Sequence, residues 1–135
     1  MAKKIDEFGQ LEYWVLDNGI LELRPSSVSA KELSLEEVLY AQKVQKAYHQ
    51  QHKKKLRVLA RLDNISNLSK EARVFGKSPE SKALNDIMVG IALLAPNTIS
   101  RMIGSMLLTV YRQDYPAKLF KNREEAIAWL LNLED

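Results

Sequence analysis

The 135-residue sequence has no cysteine, no hydrophobic run long enough to span a bilayer and no strong excess of either charge. Without thiols there is no disulfide framework, no thiolate metal ligand and no cysteine nucleophile, a composition that fits a reducing compartment. Residues 87–96 form the longest apolar run, about half of the ~20 residues a membrane-spanning helix needs, and read as a buried strand. No apolar stretch follows Lys3 and Lys4 in residues 1–10, so the h-region of a secretory signal is missing and a cytoplasmic protein is expected. Lys and Arg number 20 against 17 Asp and Glu. A net charge of +3 gives little long-range attraction to phosphate polymers, so nucleic acid is not an expected partner. The sequence also lacks a G-x-S-x-G elbow, an H-E-x-x-H pair, a Walker loop and a G-x-G-x-x-G turn. No catalytic set or cofactor is therefore expected.

What is present is enough apolar material for one core. Hydrophobic residues make up 46% and charged residues 27%, interspersed, which predicts a single domain over 11–135 behind a flexible start at 1–10. Residues 11–16 and 20–24 are rich in β-formers and flank Asp17-Asn18-Gly19, a hairpin pattern. Pro25 ends the second strand, and 26–30 read as a small polar connector. Ser34 and Glu37 form a capping box for a helix over 35–52, with Val38, Ala41, Val44 and Tyr48 as its core stripe and Lys43, Lys46, Gln50 and Lys53 opposite.

Residues 56–62 alternate as a strand ending at Asp63-Asn64, and 69–75 suit a short helix before Gly76. Residues 88–94 are apolar on both faces, as the centre of a covered parallel sheet would be. Asn97 or Thr98 caps a helix whose stripe reads Ile99, Met102, Ile103, Met106, Leu107 and Val110, while Leu108 and Tyr111 fall off it. A strand at 117–120 and a second capping box, Asn122 with Glu125, lead into a last amphipathic helix. Right-handed crossovers join such elements into a largely parallel α/β sheet.

The order β-β-α-β-α-β-α-β-α resembles the STAS domain (sulphate transporter and anti-sigma-factor antagonist), particularly the SpoIIAA-like proteins, over roughly residues 11–133. Tyr115-Pro116-Ala117-Lys118-Leu119-Phe120, followed by Glu125-Ala126-Ile127-Ala128-Trp129-Leu130, looks like the ending common in that group. The resemblance implies a mostly parallel sheet of about five strands, an N-terminal β-hairpin and four helices. It also implies binding or regulation through protein contacts rather than catalysis, and SpoIIAA-like proteins are likened to the CRAL-TRIO lipid carriers, which adds a lipid or other apolar small molecule as an alternative cargo. Asp63 is similar to the Asp that opens the loop to the phosphorylated serine of anti-sigma-factor antagonists. That makes Ser69, with Ser66, the phosphorylation candidates of a third, switch-like reading. Leu68-Ser69-Lys70-Glu71 departs from the D-S-S-G motif of that group.

Open α/β sheets bind ligands outside the carboxyl ends of their strands. Two loops converge there: Asp63, Asn64, Ser66 and Ser69 from one, Asn97, Thr98, Ser100 and Arg101 from the other, at a helix start suited to a small acidic ligand. The same residue types commonly do no more than cap helices and close turns. His49 and His52 lack a third ligand nearby and, with Lys53 to Lys55, read as a cationic helix end. Asp63 and Asp86 act as paired carboxylates only if folding unites them. Leu108 and Tyr111 offer a second apolar surface for a homodimer partner or a greasy ligand.

Overall fold

The computed structural model describes residues 2–26 and 32–134. The hairpin forms as its sequence dictates: Leu11–Val15 (β2) runs antiparallel to Leu21–Pro25 (β3). In its turn Gly19 takes a positive φ of 86°, and the Asn18 side chain accepts the Ile20 N–H. Lys3–Phe8, within the segment expected to be a flexible start, instead forms an edge strand, β1, antiparallel to β2. Contacts distant in sequence hold it: Phe8 stacks on Tyr40 at 4.3 Å between ring centroids, and the Tyr40 hydroxyl donates to Asp6. Most of the connector read at 26–30 lies outside the described residues.

Two short strands, Glu32–Leu33 (β4) and Asn67–Leu68 (β6), pair with each other immediately before the helices Leu35–His52 (α1) and Lys70–Gly76 (α2). Ser34 and Glu37 make the predicted capping box of α1. Between these helices lies Leu56–Arg61 (β5). A 3-10 turn at Pro79–Lys82 precedes Met88–Leu94 (β7), Thr98–Val110 (α3), Ala117–Phe120 (β8) and Arg123–Asn132 (α4). Asn122 accepts the Glu125 N–H at the start of α4, one half of the predicted box.

The main sheet has six strands in the order β1-β2-β3-β5-β7-β8, antiparallel at its first two pairings and parallel thereafter. β7 sits beside the edge strand β8 rather than at the centre, yet both of its faces are covered. Ile91 and Leu93 pack into one cluster with residues of α1, α2 and α3, and Ala92 and Leu94 pack into the other with Ala126 and Leu130 of α4.

The register of α3 differs from the sequence reading. Of the predicted stripe Ile103 is buried and Met106 and Leu107 pack against the core, whereas Ile99 and Met102 are 56% and 66% exposed. Leu108 and Tyr111, expected to lie off the stripe, pack against the core. The helix is turned so that Ser100, Ile103 and Gly104 face inward, and the edge of the apolar stripe carrying Ile99 and Met102 lies beside the exposed Thr98, Ser105 and Thr109.

Gly90 allows β7 to close against the end of the chain: a Cβ there would meet the Leu133 side chain and the Pro116 carbonyl. Gly90→Val is expected to destabilise the fold by about 2–3 kcal/mol through overpacking, read as a lowered urea midpoint. An unchanged midpoint would refute this packing account.

Candidate functional site

Parallel strands β3, β5, β7 and β8 all end at the same edge of the sheet, and two sites adjoin that edge on opposite faces. The first is a cleft lined by Arg24, Arg61, Asp63, Leu94, Pro96 and Arg123. Strand alternation sends Glu22 and Arg24 of β3 to the face away from the three crossover helices. Glu22 is fully buried there. Its carboxylate receives both ends of the Arg123 guanidinium, at 2.5 and 2.8 Å, and Arg24 at 3.0 Å. Arg24 in turn lies over the Trp14 ring at 4.3 Å, and the Trp14 indole N–H donates to Glu12. At the rim, Arg61 binds both oxygens of Asp63.

Desolvation pushes the Glu22 carboxyl up, but hydrogen bonds from Arg123 and Arg24, together with their charges, outweigh it and hold the group below its ordinary value. The hydrogen bond to Glu22 likewise raises the Arg123 guanidinium.

Of the residues predicted for this crevice, Asp63 lines it. Asn64 and Ser66 are exposed, and Arg101 on α3 is not part of the lining. Asn97 and Ser100 bond reciprocally as the cap of α3, which leaves Ser100 buried. Thr98 is exposed in the first turn of that helix. Ser69 is 5% exposed and its hydroxyl accepts the Ala72 N–H as the cap of α2, an unfavourable position for a kinase. His49 bonds the Lys54 carbonyl and His52 packs on Tyr48. The sequence reading missed Glu22, Arg24 and Arg123. The usable signal was Arg123 itself, a cation in the first turn of a helix, where the dipole disfavours it and a counter-charge is needed.

On the other face, α1, α3 and the 3-10 turn stand off the sheet around a partly open cavity of about 160 Å³. Leu23, Ala41, Ala60, Leu62, Leu84, Ile91, Leu93 and Leu107 make up much of its wall. Most of its polar side chains are engaged in the fold, but the side-chain oxygens of Gln45 and Gln113 are buried without a hydrogen-bond partner among the described residues. Glu37 accepts from Gln10 and Ser34, Ser81 donates to the Gly76 and Ser78 carbonyls, and Tyr111 donates to the Ala72 carbonyl. The Gln42 and Gln113 amides both donate to the Ser81 carbonyl, and Gln45 to that of Ala41. Burial raises the Tyr115 phenol to about 12, so it stays neutral. Among the described residues of this wall no nucleophile is paired with a base.

The strand order and the helices make this an α/β protein of SpoIIAA-like fold: the chain aligns with the crystal structure of an uncharacterized protein of the DUF3478 family from Shewanella loihica PV-4, described as having that fold. The TM-score is 0.61 at 13% identity, over 96% of this chain and 93% of the other, a likeness of fold alone. By sequence the chain belongs to the family defined as a domain of unknown function, DUF7793, which it matches over residues 13–134. No curated protein matches it.

Removing the carboxylate from a buried ion cluster strands its cations, so Glu22→Gln is expected to cost about 3 kcal/mol of stability at neutral pH. Because the folded-state pKa lies below the ordinary 4.5, the contribution of Glu22 is complete above that value and is lost as pH falls through the folded pKa. Urea unfolding at neutral pH and at pH ~3 should show a smaller gap between wild type and variant in acid. A gap that does not narrow would rule out an ionised Glu22.

Proposed function

We infer that the domain is a binding module that holds a small, largely apolar molecule in the cavity between the sheet and helices α1 and α3. The observation that carries this reading is the cavity: about 160 Å³, walled mainly by aliphatic side chains, with two buried amide oxygens, of Gln45 and Gln113, left without a partner among the described residues. An engineered protein cavity of about 150 Å³ takes up benzene, so the volume suits a ligand of roughly that size and excludes a whole lipid unless the helices move apart. The carrier alternative thereby narrows to a small ring or a short aliphatic chain. Binding is favoured over catalysis because the wall offers no activated nucleophile and no base with free valence.

Contact with a protein partner, or a second copy of the chain, is supported by one observation, the exposed Ile99 and Met102 on α3. If that face self-associates, Met102→Glu should lower the sedimentation-averaged mass at high concentration, and a monomeric wild type removes the support.

Toluene is a suitable cavity probe. It should raise the thermal midpoint and transfer saturation to methyl protons of Leu93 and Leu107. Ala60→Leu fills the space and should weaken toluene binding at least tenfold. Should toluene fail to bind wild type, or bind the filled variant equally well, the cavity reading is lost.

A further inference from the structure

We propose that the arginine-lined cleft at the carboxyl ends of the strands is an oxyanion site, taking the phosphoryl or carboxylate group of a small acidic ligand. Three guanidinium groups converge on it from three elements: Arg24 from β3, Arg61 from the end of β5 and Arg123 from the start of α4. Their counter-charges are the carboxylates of Glu22 and Asp63. The lining itself carries three cations and one carboxylate, Asp63, above the buried Glu22, while Glu12, opposite Arg24 across β2 and β3, and Lys4 add one charge of each sign beside it. Glu22 is buried beneath the arginines, and Glu124 and Glu125 of the first turn of α4 are not part of the lining.

The donors point the same way as the charge. A guanidinium carries five N–H donors. Arg123 places two on Glu22, Arg61 two on Asp63 and Arg24 one on Glu22. Among the described residues each group therefore keeps donor capacity beyond its carboxylate partner, and the buried Arg24 Nε has no acceptor there. Arginine forks match the oxygens of phosphate and carboxylate in two-point bonds, which suits them to such ligands better than lysine.

The surroundings strengthen the site. Leu94 and Pro96 contribute an apolar part of the lining, and low-dielectric walls concentrate the field of charges set in them. Pro96 immediately precedes the cap of α3, so the positive end of that helix lies at the same rim. Holding Glu22 accounts for Arg24 and Arg123 but not for Arg61, whose ionic partner among the described residues is its near neighbour Asp63. Arg61 and Asp63 are 33% and 24% exposed, and they form the adjustable part of the cleft. Asp63 occupies the Arg61 fork as a resident carboxylate, and an incoming oxyanion competes with it for those donors.

That competition separates a binding site from a purely structural cluster. The probes are inorganic phosphate and succinate, titrated into the full chain against sodium chloride of equal ionic strength and followed by amide chemical shifts. One of them is expected to shift residues around Arg61 and Pro96 saturably, the stronger of the two assigning the phosphoryl or the carboxylate class. Asp63→Asn removes the competitor and should tighten binding several-fold, while Arg61→Gln should weaken it about tenfold. Lys46→Gln, on the exposed side of α1, should leave it unchanged. Arg24 and Arg123 are left intact because they hold the buried Glu22. The proposal is overturned if neither anion exceeds chloride, or if Asp63→Asn and Arg61→Gln both bind like wild type.

Discussion

The strands are added to the sheet in one direction only, from β3 through β5 and β7 to β8, and each parallel step is made through helical structure. Right-handed crossovers that advance in one direction must all lie on one face. Helices α1, α2 and α3 therefore contribute to a single cluster on that side, and the other side is left to whatever follows β8. Among the described residues that is α4, which packs on β5, β7 and β8. Both sites follow from this imbalance. On the crowded side, three helices of different lengths meet a twisted sheet and leave a cavity. On the sparse side, the half of the face belonging to β2 and β3 is covered, among the described residues, by charged and aromatic side chains rather than by a helix.

Arginines secure α4 to the sheet at both of its ends. At its carboxyl end Arg57 of β5 donates to the carbonyls of Leu130 and Leu133, satisfying groups that a helix end otherwise leaves unpaired. At its amino end Arg123 grips Glu22, 101 residues away in sequence. The first arrangement agrees with the helix dipole and the second opposes it. A buried carboxylate is costly to desolvate, and a cluster of this kind contributes less to net stability than to fixing one arrangement of its parts. Glu22 thus selects where α4 begins, and by doing so brings the Arg123 side chain to the mouth of the cleft.

Much of the fold was legible because its signals are local. The Ser34 and Glu37 box, the Asn18-Gly19 turn and the two-sided apolar run at 88–94 each rest on chemistry within a few residues, and each element formed where it was read. The misreadings concern interactions that sequence order does not display. β1 depends on Tyr40, and the inward side of α3 depends on which of many apolar side chains meets the sheet. The candidate site was half legible. Of the strand-end residues read as candidates, Asp63 lines the cleft, whereas Ser69, Asn97 and Ser100 cap helices, the ordinary use of such residues. The arginines that line the cleft belong to elements far apart in the chain, and nothing local links Arg24 to Arg123.

The cavity and the cleft are neighbours that do not open into one chamber. Along β5, Ala60 and Leu62 join the cluster on the crossover-helix side, and along β7 Leu93 does the same while Leu94 joins the cluster under α4. The sheet itself is the wall between them, and Arg61 borders both. The two sites share the strand end at Arg61. Whatever displaces the last residues of β5 on one face moves the lining of the other, because neighbouring residues on a strand face opposite ways and a packed core does not deform independently on its two sides.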